Sequence, residues 1–89
     1  MISIVKKEHL EDYKIKLFFS DNSEGVMDFS YLIEVGSILT NPLKESGYFN
    51  SCFVDFGALC WKNGLELSAE SLYRKLQERG LLRMRQDVA

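Results

Sequence analysis

The sequence offers few of the residues from which catalytic and metal-binding sites are usually built. Its 89 residues include one histidine, His9, and two cysteines, Cys52 and Cys60. The cysteines have no second pair at ligand spacing, which argues against a structural zinc site. The six glycines are scattered singly, so a glycine-rich phosphate loop is excluded. We therefore expect no metal and no cofactor.

Long apolar runs are missing as well. No stretch approaches the roughly 18 consecutive apolar residues of a membrane-spanning helix. The first residues, MISIVKK, lack the charged-then-apolar pattern of a signal peptide. We expect a cytoplasmic protein whose two cysteines are free thiols. Because the chain has no repeat and no internal linker, we predict one α+β domain over residues 1–80 and a C-terminal tail over residues 81–89.

The chain does contain enough apolar material for a core. Hydrophobic residues make up 46% of it and aromatic residues 12%, which is typical of a globular domain. The stretch from 48 to 76 holds both cysteines and the only tryptophan, Trp61. We interpret this stretch as a β-hairpin, a tight bend at Asn63-Gly64, and a helix laid over the sheet.

Two short apolar runs, residues 51–54 and 58–61, predict the hairpin. A two-residue turn between them would place the bulky Phe56 at positive φ. We therefore predict a three-residue loop with Gly57 in the left-handed region. In this register the two cysteines lie opposite each other. The core face then carries three large side chains, those of Phe53, Leu59 and Trp61.

The helix that follows has signals at both ends. Ser68 is a candidate N-cap, and Gly80 is placed to end the helix with Leu81 in contact with Leu76. The buried stripe is predicted to consist of Leu72, Tyr73 and Leu76.

The first half of the chain predicts three strands in an antiparallel meander, over residues 2–7, 13–19 and 26–29. In the second strand, Tyr13, Ile15, Leu17 and Phe19 alternate with Lys14, Lys16 and Phe18. Ser30 is predicted to cap a very short helix that runs through Ile33 and stops at Gly36. Asn41 is predicted to be the N-cap of a second helix, with Pro42 at its first position and its end near Gly47. The predicted fold class is α+β: an antiparallel sheet of about five strands packed by a C-terminal helix, with short helices in the crossover.

The order of several residues in this framework resembles the bacterial domain of unknown function 2442 family. The first segment that fits is residues 13–29, with its Phe19-Ser20-Asp21 turn. The later positions, in order, are Phe49, Val54-Asp55, Gly57, Trp61, Asn63-Gly64, Glu70 and Leu72-Tyr73. The resemblance implies a compact α+β fold and no established activity. Members of the family are often encoded beside another small uncharacterised protein, which implies a toxin–antitoxin-like pair.

Charge is unevenly distributed along the chain, whose net charge is −2. Residues 8–55 contain nine acidic side chains and three lysines, whereas residues 74–85 contain five basic side chains and one glutamate. We expect a partner to be bound by this basic set, which consists of Arg74, Lys75, Arg79, Arg83 and Arg85. The competing interpretation is a solvated helix face and tail.

No catalytic constellation can be assembled from the remaining candidates. His9 lies in an acidic turn and is expected on the surface. Asp28, Asp55 and Glu66 are expected to shape turns and caps. Core packing accounts better than base stacking for the aromatic residues Tyr48, Trp61 and Tyr73.

The function predicted from the sequence is a non-enzymatic protein-interaction module. Its partner would be a small protein, the product of a neighbouring gene, in an antitoxin-like pair, and a homodimer is an additional option. The alternative is a nucleic-acid-binding or regulatory protein that uses the basic set.

Overall fold

Seven strands in two antiparallel sheets form the framework of the described part of the protein. The computed structural model describes residues 1–85. The strands are β1 Ile4–His9, β2 Lys14–Phe19, β3 Ser23–Asp28, β4 Phe53–Asp55, β5 Ala58–Cys60, β6 Glu66–Leu67 and β7 Arg83–Met84. The α-helices are α1 Ser30–Val35, α2 Ser46–Asn50 and α3 Ala69–Glu78, and a 3-10 helix spans Asn41–Lys44. The larger sheet has the order β1-β2-β3-β7 and the smaller one β4-β5-β6. The predicted α+β class is confirmed, with the strands divided between two sheets.

The period-two pattern of β2 gives the larger sheet two different faces. Ile15, Leu17 and Phe19 are fully buried on the inner face, as the alternation predicted. Lys14 and Lys16 lie on the outer face. The strand β3 begins at Ser23, earlier than predicted, because the turn is completed by Asn22 at a φ of 69°.

Aromatic side chains fill the space between the inner face and the smaller sheet. Trp61 is 1% exposed, and its ring lies 5.9 Å from that of Phe49 and 6.5 Å from that of Phe29. Its indole Nε1 donates a hydrogen bond of 3.0 Å to the carbonyl oxygen of Phe49. The prediction that Trp61 is a core residue is therefore confirmed.

Both predicted ends of α3 are confirmed. The Oγ of Ser68 accepts a hydrogen bond of 3.2 Å from the backbone N–H of Ser71. At the other end Gly80 has a φ of 67°, and the N–H of Leu81 donates to the carbonyl of Leu76 at 2.9 Å. This is the Schellman pattern. Leu72 and Leu76 are fully buried, while Tyr73 is half-buried.

The chain continues from α3 into β7, which pairs with β3 in the larger sheet. Gly25 permits this approach, because a Cβ at that position would lie 2.9 Å from the carbonyl oxygen of Leu81. Residues 81–85 of the predicted tail are thus docked at a sheet edge, and residues 86–89 lie outside the described residues.

The predicted hairpin register is wrong. The turn has two residues, Phe56 at a φ of 48° and Gly57 at 78°, and the pairs are Phe53 with Cys60, Val54 with Leu59, and Asp55 with Ala58. Phe56 adopts this positive φ with its side chain fully exposed. A turn of this hand also matches the twist of the flanking strands.

Contacts from outside the hairpin also favour the short turn. The carbonyl of Gly57 accepts a hydrogen bond of 2.9 Å from the N–H of Ile4. The one-residue shift overturns two expectations, because it moves the side chains of β4 to the other face, while Leu59 and Trp61 of the second run stay buried as predicted. Phe53 is 42% exposed instead of lying in the core, and the two cysteines are not opposite each other.

The segment between the sheets also differs from its prediction. Ser30 is the first residue of α1 and not its cap, while Gly36 ends the helix at a φ of 69°, as predicted. The single helix predicted from Asn41 is divided by the extended residue Glu45 into the 3-10 helix and α2. Thr40, not Asn41, occupies the N-cap position. Among residues 1–85, none of the helices has both the length and the apolar character of a membrane span.

Candidate functional site

The candidate catalytic residue His9 makes structural contacts with neighbouring residues. His9 is half-buried, more than predicted, with its ring edge-on to Phe49 at 5.8 Å between centroids. Its Nε2 lies 3.3 Å from the backbone oxygen of Asp12. Within residues 1–85, no three His, Cys, Asp or Glu side chains are grouped so that they could hold a metal ion.

The two cysteines are buried free thiols. Burial raises the pKa of Cys52, against the opposing effect of the nearby Lys7 ammonium. Burial also raises the pKa of Cys60, and the carboxylates of Glu66 and Asp55 add to that rise. A buried thiol with a raised pKa is a poor nucleophile.

Two aspartates stabilise turns of the larger sheet. Asp28 accepts hydrogen bonds from the N–H and hydroxyl of Ser30, at 2.9 and 2.6 Å. These bonds lower its pKa, with smaller contributions from the charges of Lys14 and Arg79. Burial opposes ionisation of Asp21, but hydrogen bonds from Ser23 and Tyr73 outweigh it and leave its pKa below the ordinary value.

The Asp21 contact also explains the role of Tyr73. Its hydroxyl donates to Oδ2 of Asp21 at 2.8 Å, and its ring lies edge-on to Phe19. The Tyr48 hydroxyl accepts a hydrogen bond of 3.2 Å from the N–H of Asn63. These aromatic residues connect elements of the fold.

The five basic residues predicted to bind a partner fall into two groups. Arg83 and Arg85 lie on the outer face of the larger sheet, where Arg83 pairs with Glu24 and Arg85 donates to Asn22. Arg74, Lys75 and Arg79 belong to α3 and its C-cap. The prediction treated them as one set because they are close in sequence.

The helical group borders α1. Nζ of Lys75 lies 5.1 Å from the centroid of the Tyr31 ring. Burial raises the pKa of Tyr31, and the charge of Arg79 opposes that rise. Arg74 is exposed on the opposite side of α3 from Leu72 and Leu76.

Next to α1, an exposed apolar loop interrupts the acidic surface. We use the term apolar loop for residues 35–39, in which Val35, Ile38 and Leu39 are exposed, Ile38 by 89%. The sequence analysis did not single out this segment. The signal was three apolar residues, Val35 directly before Gly36 and Ile38 and Leu39 after it, a stretch too short to form a core element.

Hydrogen bonds hold the apolar loop in one conformation. The N–H of Ser37 donates to Oγ1 of Thr40 at 3.0 Å, and the N–H of Thr40 donates to Oγ of Ser37 at 3.1 Å. From the smaller sheet, Nδ2 of Asn63 donates to the carbonyl of Leu39 at 3.1 Å.

On the outer face, one aromatic ring is surrounded by cations. The centroid of the Phe18 ring lies 5.1 Å from Nζ of Lys6, 5.4 Å from Nζ of Lys16 and 5.5 Å from the guanidinium carbon of Arg85. The long side chains leave Phe18 only 8% exposed. We call Phe18, Lys6, Lys16, Arg83 and Arg85 the outer-face cluster.

A single carboxylate neutralises part of this cluster. Oε2 of Glu24 lies 2.7 Å from Nζ of Lys16 and 3.2 Å from Nη2 of Arg83, and Glu24 is 5% exposed. The Lys16 ammonium above all, and then the Arg83 guanidinium, hold the pKa of Glu24 below its ordinary value of 4.5. A cleft of about 630 Å³ opens beside this pair and is lined by Glu24, Arg83, Met84 and Arg85.

The comparison with known families agrees with this architecture. The model of a family described as "Protein of unknown function (DUF2442)" matches residues 4–78. The chain belongs to the DUF2442 family. The resemblance in the order of Trp61, Asn63-Gly64 and Leu72-Tyr73 is thereby confirmed. No curated protein and no solved structure matches this DUF2442 chain.

Proposed function

We propose that this protein is a non-enzymatic interaction module that binds a small partner protein. The observation that carries the proposal is the apolar loop, in which Val35, Ile38 and Leu39 are exposed while hydrogen bonds hold the loop backbone. Exposed apolar groups that stand together mark protein-interaction surfaces. A loop that is already ordered loses little conformational entropy when it binds.

The surroundings of the apolar loop favour a partner with acidic residues at the margin of its contact. Tyr31 and Val35 are four residues apart and lie on the same side of α1. Lys75 lies against the Tyr31 ring and borders the same surface, and the charge of Arg79 acts on the same tyrosine. Apolar contacts in the centre with charged groups at the rim are the usual arrangement of a protein interface.

The partner we propose is the product of a neighbouring gene, in an antitoxin-like pair. The direct test is to co-express the two proteins, purify them together and measure their affinity by calorimetry. We expect Ile38→Ser to weaken binding by about tenfold or more, as loss of a central apolar contact does. The matched control is Phe56→Ser, which removes an equally exposed apolar side chain from the distant hairpin turn.

The charges offer a second, independent test. Arg79→Glu is expected to weaken binding and to remove part of its salt dependence. The double variant Arg83→Glu/Arg85→Glu changes twice the charge on the other surface and is expected to bind normally. The assignment of the surface is wrong if Ile38→Ser and Phe56→Ser bind the partner equally well. It is also wrong if the double variant binds the partner more weakly than Arg79→Glu does.

A further inference from the structure

The outer face of the larger sheet is positively charged in a protein of net charge −2. Cross-strand pairing places Lys6 and Glu8 of β1 beside Phe18 and Lys16, and places Glu24 and Asp28 of β3 beside Phe18 and Lys14. This face thus carries five basic and three acidic side chains. The basic ones are Lys6, Lys14, Lys16, Arg83 and Arg85.

One of the three acidic side chains on this face, Glu24, already forms ion pairs with Lys16 and Arg83. Arg83 nevertheless remains exposed, with its side chain 74% accessible. Lys6 and Arg85 each lie against the Phe18 ring. A cation over an aromatic ring at an exposed site is held weakly and can exchange the ring for an anion.

The structure thus has an aromatic ring at the centre of a sheet, cations around it and an open cleft of about 630 Å³ at its side. Sheet faces that combine aromatic side chains with Lys and Arg are a common surface for single-stranded nucleic acid. We propose that the outer-face cluster binds a single strand of nucleic acid. Bound phosphates draw Lys6 and Arg85 away from the ring and also contact Lys16 and Arg83, and a base stacks on Phe18.

A nucleotide fits this surface better than an acidic peptide does. Carboxylates would pair with the cations but would leave the Phe18 ring without a partner once the cations had moved. A nucleotide supplies both a phosphate for the cations and a flat base for the ring. Stacking of a base on an aromatic side chain is also stronger than an exposed cation–ring contact.

The test is fluorescence anisotropy with labelled single strands of ten nucleotides, oligo(dT) and oligo(U), titrated with the full-length protein. Concentrations reach about 100 µM, the weak end of non-specific binding. We expect saturable binding to the single strands, and weaker binding to a duplex of the same length. With four phosphate contacts, affinity should fall about 50-fold between 50 and 200 mM salt.

Two variants separate stacking from charge. Phe18→Leu keeps an apolar side chain but removes the ring, and should weaken binding by about fivefold or more without changing the salt dependence. The double variant Arg83→Gln/Arg85→Gln removes two phosphate contacts, so the fall in affinity over the same salt range should shrink to about sevenfold. Circular dichroism and thermal melting establish that each variant is folded.

The charge control is Lys62→Gln, which removes an exposed cation from the loop between β5 and β6. It should bind as wild type does. The proposal is wrong if wild type shows no salt-dependent binding up to that concentration, or if folded Phe18→Leu binds unchanged. It is also wrong if Lys62→Gln weakens binding as much as the double variant, or if a labelled decamer of glutamate binds as tightly as the oligonucleotides. Should Phe18→Leu fail to fold, the proposal is decided by comparing the oligonucleotide affinities of the double variant and of Lys62→Gln.

Discussion

The two faces of the larger sheet are built from adjacent residues of the same strands, yet they hold their aromatic side chains in different ways. On the inner face, Phe19 is fully buried and meets the ring of Tyr73 edge-on at 5.2 Å. On the outer face, Phe18 is almost as buried, but what covers it is the side chains of Lys6, Lys16 and Arg85. Equal burial therefore does not mean equal environment, because one cover is apolar packing and the other is mobile and charged.

The largest effect is expected where the inner face meets the smaller sheet. Trp61→Ala removes a fully buried ring and the indole donor of the Phe49 carbonyl, which keeps the longer bond of 3.4 Å from the N–H of Cys52. We expect a loss of about 3–5 kcal/mol in the free energy of unfolding, against a total of about 4–13 kcal/mol for a chain of this length. Chemical denaturation measures it. A loss below about 1 kcal/mol would mean that Trp61 is not the centre of the core.

The sharpest comparison uses the neighbouring phenylalanines of β2. Phe19→Ala should lower the free energy of unfolding by about 3–5 kcal/mol, since it leaves a cavity among buried groups. Phe18→Ala should lower it by about 1–2 kcal/mol, because the lost contacts are lysine and arginine side chains that can re-extend into water. Urea denaturation of both variants gives the two values. Equal losses would show that the outer face is as rigidly packed as the inner one.

The attachment of the smaller sheet is tested by two glycines with similar backbone angles. A Cβ at Gly57 would lie 2.8 Å from Cβ of Ser3, whereas a Cβ at Gly36 meets nothing within 4 Å. Both substitutions to alanine carry a strain of about 1–2 kcal/mol from positive φ. Gly57→Ala should be the more destabilising, by about 1 kcal/mol or more, because Ser3 must move as well. If the two melt at the same temperature, the hairpin turn does not hold β1.

The smallest effect concerns pH and the buried carboxylate of the outer face. Because the folded-state pKa of Glu24 is lowered, its pairs with Lys16 and Arg83 stabilise the protein above pH 4.5, and this contribution disappears as the pH falls below that value. Melting temperatures of Glu24→Gln should therefore depend less on pH between about 5 and 3 than those of wild type. Some dependence remains, since Asp21 and Asp28 also have lowered pKa values.

Glu34→Gln is the matched control for that experiment. It removes one exposed carboxylate from α1, away from the outer face. Its melting temperature should follow the wild-type pH dependence. A Glu24→Gln curve that coincides with the Glu34→Gln curve would show that the two ion pairs of Glu24 do not stabilise the fold.

Local patterns were enough to predict much of the fold. The alternation along residues 13–19 identified the two faces of β2, and the caps at Ser68 and Gly80 identified the bounds of α3. These signals lie within a few residues of the structure they specify. The hairpin turn failed because local reasoning gave a general preference against positive φ at Phe56. The deciding contacts come from Ser3 and Ile4, about fifty residues away.

The surfaces were harder to predict for the same reason. The five basic residues are neighbours in sequence, but the turn at Gly80 sends Arg83 and Arg85 to the outer face and leaves Lys75 beside α1. The outer-face cluster joins residues 6, 16, 18, 83 and 85, which only sheet pairing brings together. The alternation along β2 had already placed Phe18 on the same face as the lysines. It could not predict that Arg83 and Arg85 join them, because this depends on the pairing of β7 with β3.

That pairing makes the outer face dependent on the order in which the chain is synthesised. While residues 83–84 are still within the ribosome, β1, β2 and β3 can already form their meander, and the far edge of β3 is unpaired. At that stage Glu24 has Lys16 as its partner but not Arg83. β7 is two residues long, so it is also the part of the sheet expected to open most easily in the finished protein. An opening of β7 would take Arg83 and Arg85 off the outer face and expose the backbone of Ser23 and Glu24, so pairing of this strand sets how much positive charge the face carries.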